Sequence, residues 1–137
     1  MRRAHNMQRR WWILALLALG LVLSQLSMTA AQTTPPKKLN PDTGNAEAIK
    51  AGRTIWRQVG CSGCHGGGGG GGMCPSVIDD QWTFGSDDET LFKLIKGEIP
   101  HQTMPTMFGS ELSDAQIWQV LAFVRSIYKG DPSKINW

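Results

Sequence analysis

Several things are scarce or missing in this chain. Cysteine occurs only three times in 137 residues, at positions 61, 64 and 74. A zinc site built from two paired motifs would need a second Cys-x-x-Cys, and there is none. No segment alternates apolar and polar residues as a half-buried strand does, so a β-rich fold is excluded and an all-α chain is expected. There is no internal repeat, and 137 residues suffice for one domain rather than two. Acidic residues are absent before Asp42, whereas Arg2, Arg3, Arg9 and Arg10 fall within the first ten positions. Setting the first 31 residues aside removes those four from the fourteen Lys and Arg and none from the eleven acids. The net charge drops from +3 to −1. The basic patch that nucleic-acid binding requires is therefore missing.

What the N-terminus does have is an apolar run over residues 11–23, broken only by Gly20, followed by small, weakly polar residues over 24–31. Basic start, apolar stretch and small-residue exit are the order of a secretory signal. Cleavage after Ala31 leaves Gln32 as the first mature residue, and cleavage after Ala30 is the alternative. A retained membrane anchor is the competing reading, but a spanning helix needs about 20 mostly apolar residues and this run is shorter. The expected organisation is a signal over 1–31, a Pro-rich arm over 32–45, a domain over 46–130 and a tail over 131–137. The expected location is the periplasm, without membrane association unless the N-terminal segment is kept.

Three helices are legible in the domain. Ala48, Ile49, Gly52, Ile55, Trp56 and Val59 repeat at helical spacing over 46–59, and Gly60 stops them. Ser86 and Glu89 have capping-box spacing ahead of Leu91, Phe92, Leu94 and Ile95, with Gly97 as the stop. Ser113 and Gln116 have the same spacing ahead of Ile117, Val120, Leu121, Val124, Ile127 and Tyr128. Residues 61–75 and 99–109 read as loops. The pairs Asp79-Asp80 and Asp87-Asp88, with Glu89, read as a solvated face and a helix N-terminus, or as charges that steer a basic partner.

The chemistry is concentrated in Cys61-Ser62-Gly63-Cys64-His65. Two thiols one helical turn apart can bond the two vinyl groups on one edge of a porphyrin, and the adjacent imidazole can then ligate its iron. A thioredoxin-like dithiol would need flanking strands. Zinc held by Cys61, Cys64, His65 and Cys74 would ask adjacent residues to chelate one tetrahedral ion. A Cys61–Cys64 disulfide would close too short a loop to constrain much. Covalent haem c is the cofactor expected, with His65 as proximal ligand. A second axial ligand must come from elsewhere, and Met104, ahead of Pro105 in the 99–109 loop, is preferred. Met107 and His101 are alternatives in the same loop, and Met73 lies too near the attachment motif. Trp82 can donate its indole proton to a haem propionate or serve as core. The seven glycines at 66–72 read as a flexible surface loop or as backbone lying flat by the haem edge. Cys74 reads as a buried inert thiol or as a partner in an intermolecular disulfide.

Cys61-Ser62-Gly63-Cys64-His65-Gly66, then Pro75, Met104-Pro105 and Leu112-Ser113-Asp114 before an apolar helix, resemble class I cytochrome c. The resemblance implies an all-α fold of about three main helices around one covalent haem. It implies that the terminal helices cross closely, with Gly52 and Trp56 on one side and Phe123 on the other. It also implies that the Pro75 carbonyl holds the second nitrogen of His65. The glycine run with Met73-Cys74-Pro75, Asp80-Gln81-Trp82 and Phe84-Gly85-Ser86 is similar to the cytochrome c-L type. Those proteins accept electrons from periplasmic quinoprotein methanol dehydrogenases. The loop over 97–109 is shorter here than in some of them.

The resemblance thus implies a periplasmic one-electron carrier, not an enzyme. Its expected donor is a quinoprotein alcohol dehydrogenase, and its expected acceptor a downstream cytochrome or terminal oxidase. A general shuttle, or a haem c subunit of a membrane-tethered respiratory complex, is the alternative. A peroxidase or gas-binding cytochrome with an open iron site is another.

Overall fold

The computed structural model describes residues 37–136, which fall within one compact unit, Pro36–Trp137. The signal expected over 1–31, its cleavage site and the start of the Pro-rich arm lie outside the described residues. Among the described residues there is no strand, and no helix is long and apolar enough to cross a membrane. The helices are α1 (Ala46–Gln58), α2 (Cys61–His65), α3 (Asp88–Lys96), α4 (Phe108–Glu111) and α5 (Asp114–Ile127), followed by a 3₁₀ turn at Pro132–Lys134.

Helix α1 starts where Asn45 accepts hydrogen bonds from the Glu47 and Ala48 N–H groups, and α5 starts on the full Ser113/Gln116 capping box. The two cross so closely that a Cβ on Gly52 would sit 1.9 Å from the Gln119 carbonyl oxygen. Any larger residue there would push the helices apart. Trp56 packs edge-on against Phe123 beside that crossing, ring centroids 5.7 Å apart. Ile117, Val120, Leu121 and Val124 complete the buried face of α5.

Two expectations need correcting. The cap of α3 is Asp87, whose carboxylate accepts from the Thr90 N–H. The Ser86 hydroxyl instead accepts from the Asn136 N–H at 2.7 Å, tying down the chain end. Asp87 and Asp88 stand at a helix N-terminus as expected, but are buried there, 2% and 1% exposed. Asp88 faces Arg125 at 2.7 Å, also buried, and such a pair needs its remaining lone pairs satisfied to be tolerated. The Asn40 N–H supplies one bond to Asp88, at 2.9 Å. The described end of the arm is tied to the domain by further bonds. Asn40 also donates to the Trp118 carbonyl, and Lys37 reaches Asp87. Burial acts to raise the Asp87 pKa, but the bonds from Thr90 and Lys37 outweigh it and hold it below the usual carboxylate range. Lastly, residues 61–65 and 108–111 are short helices where loops were expected.

Candidate haem site

Gly60, in a left-handed conformation at φ 94°, ends α1 and lets α2 begin at once. This turn carries Cys61, Cys64 and His65 to the wall of an open apolar cavity of about 1070 Å³, its mouth included. Leu91, Ile95, Phe108, Val120, Leu121 and Val124 form its apolar sides. Cys61 is 6% exposed, and burial pushes its thiol up to about 11. Nothing in that setting favours a thiolate nucleophile or a thiolate metal ligand. Cys74 is half-buried and lines the same cavity, rather than lying in the core. Its N–H donates to the Cys64 carbonyl at 3.1 Å. Desolvation, then contact with the Cys64 thiol, holds its pKa above the ordinary value. Among the described residues no three His, Cys, Asp or Glu side chains converge as a metal cluster, so the zinc arrangement is not assembled.

The His65 Nδ1 lies 2.7 Å from the Pro75 carbonyl oxygen. A carbonyl can only accept, so Nδ1 carries the proton and Nε2 keeps its lone pair for a metal. The loop between these residues is tightly knitted, against the reading of it as a flexible surface loop. Gly71 donates to the His65 carbonyl at 2.9 Å, Gly69 to Gly66 at 3.1 Å, and Val77 to Gly69 at 2.8 Å. Gly69 is buried at φ 75°, and a Cβ there would meet Ile127, Val77 and Ile78 at 3.0 Å or less.

On the other loop, Met104 is half-buried, packs on the core and lines the cavity. Met107 caps α4 and is 52% exposed, Met73 is 84% exposed, and His101 is exposed at φ 60°. None of these three lines the cavity. Gln102, which sequence reasoning passed over, holds the loop: its Nε2 donates to the carbonyls of Leu94 (2.8 Å) and Met104 (2.9 Å), and its Oε1 accepts from the Ile99 N–H. A lone Gln between Pro100 and Pro105 gives no signal of that role.

Trp82 forms part of the wall between the two loops. Its Nε1 is buried and has no hydrogen-bond partner of normal geometry. The indole lies between the Tyr128 ring at 6.1 Å and the Arg125 guanidinium at 5.8 Å. Tyr128 in turn donates to Asp80 at 2.5 Å, and Asp80 also receives the Asp131 N–H and Lys134. The Tyr128 bond, then Lys134, keeps Asp80 below the usual carboxylate range. The same bond raises the Tyr128 hydroxyl, with the Trp82 indole acting weakly the other way.

These features fit haem c. Two thiols stand one turn apart, an imidazole has a free Nε2, a thioether comes from a second loop, and the walls are apolar. An orphaned N–H in the wall can serve a carboxylate of a bound group.

Comparison with known proteins agrees. The family described as cytochrome C oxidase, cbb3-type, subunit III matches residues 47–124. The Cbb3-type cytochrome c oxidase subunit FixP of Sinorhizobium medicae is 33% identical over 89 residues, 58% of this chain and 30% of that one. Cytochrome c-L of Methylorubrum extorquens is 28% identical over 112 residues, 76% of this chain and 55% of that one. The chain thus spans less than two thirds of either relative. The solved cytochrome CL of Methylophaga aminisulfidivorans is 34% identical with a TM-score of 0.63, over 72% of this chain and 68% of that one. Cytochrome cL of Hyphomicrobium denitrificans is 30% identical with the same TM-score, over 72% and 58%. With this fold, this cavity and these relatives, the chain belongs to the class I c-type cytochromes of the cL type, whose cofactor is covalently bound haem c.

Proposed function

We propose that the protein is a periplasmic one-electron carrier with a single haem c, and that it accepts electrons from a quinoprotein methanol or alcohol dehydrogenase. The observation that carries the first half is convergence: Cys61, Cys64, His65 and Met104 line one apolar cavity, while Met73, Met107 and His101 do not. In this reading Cys61 and Cys64 would hold the haem by thioether bonds, and His65 and Met104 would ligate its iron. A one-electron change at iron is the chemistry that the bound group supplies. Pro75 fixes the tautomer and direction of the imidazole. The soft thioether of Met104 favours the reduced state and raises the potential. The Trp82 indole N–H would be free to donate to a propionate. Two ligands from the chain would leave no open iron site for a peroxide or a gas, and the electron would enter and leave through the surface.

The dehydrogenase as donor is supported by the similarity to cytochrome c-L across 76% of the chain and to two cytochrome cL structures. Two electrons leave each alcohol, so a one-electron carrier docks twice and leaves quickly, which suits a small interface below about 1,200 Å². Stopped-flow mixing with a quinoprotein dehydrogenase and methanol tests it. Reduction should be fast and saturable; a rate no higher than for an unrelated cytochrome c would remove the donor and leave the haem assignment intact. The family match and the FixP similarity favour a second reading, a haem c subunit of a respiratory oxidase complex. Co-purification with oxidase subunits from solubilised membranes, in place of a soluble periplasmic protein beginning near Gln32, would select it.

A further inference from the structure

A second concave surface lies away from the haem cavity, between α1, the glycine run and α5. Ile49, Phe123 and Ile127 make its apolar floor, and the exposed side chains of Lys50 and Arg53 stand at its α1 rim. Arg57 continues the same helix face at i, i+3, i+7 spacing. Among the described residues these three cations, like Lys38 and Lys129, take part in no ion pair, whereas Lys37, Lys93, Lys96, Arg125 and Lys134 are each paired with a carboxylate. The other wall is the backbone of Gly67 and Gly68, whose N–H groups donate no hydrogen bond within the described residues. A Cβ on either glycine would meet nothing within 4 Å, so their lack of a side chain answers no packing demand of this chain.

The floor also touches the haem site. Phe123 contacts Trp56 at 5.7 Å, and Trp56 contacts the His65 ring at 5.8 Å while its Nε1 donates to the Gly66 carbonyl. We propose that this groove docks the acidic surface of a partner protein, which inserts a carboxylate-bearing segment between α1 and the glycine run. Unpaired cations, free amides and an apolar floor match a segment that carries acidic and apolar side chains together. A partner seated there lies against Phe123, one end of an aromatic chain that ends on the imidazole. The proximal side then offers an electron route separate from the cavity mouth. That route rests on His65 being the iron ligand; the docking does not.

The test is binding of poly-L-glutamate to the haem-loaded protein at low salt, followed by amide NMR shifts with haem absorption as a check on folding. Shifts should centre on residues 49–57 and 66–68. Lys50→Glu and Arg53→Glu should each weaken binding about fivefold, and Gly68→Leu, which adds bulk at the glycine wall without changing charge, should weaken it comparably. Lys129→Glu, the same charge change elsewhere on the surface, should change it less than about twofold. An equal loss in Lys129→Glu overturns the proposal, because the attraction is then diffuse. Competition by inorganic phosphate at the same concentration of charge overturns it in favour of a small-anion site. Tighter binding to phosphatidylglycerol vesicles overturns it in favour of a membrane surface. Dimerisation of the protein alone that Lys50→Glu abolishes overturns it in favour of a second copy. None of these measurements uses the dehydrogenase or a redox change, so this proposal and the donor assignment can fail separately.

Discussion

The two loops that bring candidate ligands to the cavity are built on opposite plans. The loop from His65 to Pro75 is held by backbone. Its glycines donate to carbonyls of the same loop, one glycine is buried against three side chains, and the Pro75 carbonyl grips His65 directly. The loop over 97–109 has backbone bonds at its two ends and from Gln102 to Ile99, but the Met104 carbonyl is held by one side chain, Gln102. Backbone bonds survive most substitutions, while a side-chain clamp is lost in one. The imidazole is thus fixed by many small constraints and the thioether by few. Changes in iron ligation should arise far more readily on the methionine side.

The largest effect should follow from attacking the first plan where glycine is required. Gly69→Val adds a β-branched residue at φ 75° and drives it into Ile127, Val77 and Ile78. Left-handed strain and overpacking together should cost about 3 kcal/mol, read as a fall in the denaturant midpoint of the haem-loaded protein. Gly67→Val, in open space on the same run, should cost less than about 0.5 kcal/mol. Equal losses would mean that the loop is not the knitted unit described.

Next comes the ligand of the second plan. Met104→Ala should keep the covalent haem, abolish the weak far-red sulfur-to-iron band and open the iron to carbon monoxide. Met107→Ala, at an exposed position outside the cavity, should leave the band intact. The reverse pattern would transfer the role to Met107.

How much of this was legible in the sequence follows from the same contrast. The long helices, the Ser113/Gln116 box and the Cys61–His65 motif are local patterns, so spacing alone locates them. Gly52 and Trp56 at the helix crossing were reached through resemblance, and the 1.9 Å approach at Gly52 gives the physical reason. What spacing could not reveal is pairing over long separations. Asp88 with Arg125, Asn40 with Trp118, and Ser86 with Asn136 lie 37 to 78 residues apart. Such pairs turn an apparently solvated acidic helix start into a buried network. Gln102 escaped because its partners are carbonyls, which every residue possesses.

A smaller effect tests the clamp itself. Gln102→Leu keeps the side chain's bulk and removes the donors to the Leu94 and Met104 carbonyls. Loss of these partly buried bonds should cost about 1–2 kcal/mol. The far-red band should vanish at a lower temperature than in the parent protein, while covalent haem is unaffected. If the band melts together with the global fold in both proteins, the second loop is no softer than the first.

The smallest effect concerns the wall between the loops, where Asp80 links Tyr128, Lys134 and the Asp131 N–H beside Trp82. The charged groups facing this carboxylate are Lys134, which favours its ionised form, and Asp131, which carries the same sign. Its folded-state pKa lies below the ordinary 3.8, first through the Tyr128 hydroxyl and then through Lys134. A depressed carboxylate stabilises the fold fully above its unfolded pKa. That contribution is lost as pH falls through the folded value, because between the two values only the unfolded chain takes up the proton. Tyr128→Phe removes the leading cause and leaves Lys134 in place. The carboxyl ¹³C titration of Asp80 should therefore move up toward 3.8, and the associated loss of stability should be complete at a higher pH and be smaller in extent. Lys134→Met should move the titration in the same direction, since it removes both a hydrogen bond and the facing cation. A larger shift in Lys134→Met than in Tyr128→Phe would make the wall an electrostatic tether to the tail. A larger shift in Tyr128→Phe would make it a hydrogen-bonded brace behind Trp82, anchored by a side chain as the Met104 segment is by Gln102.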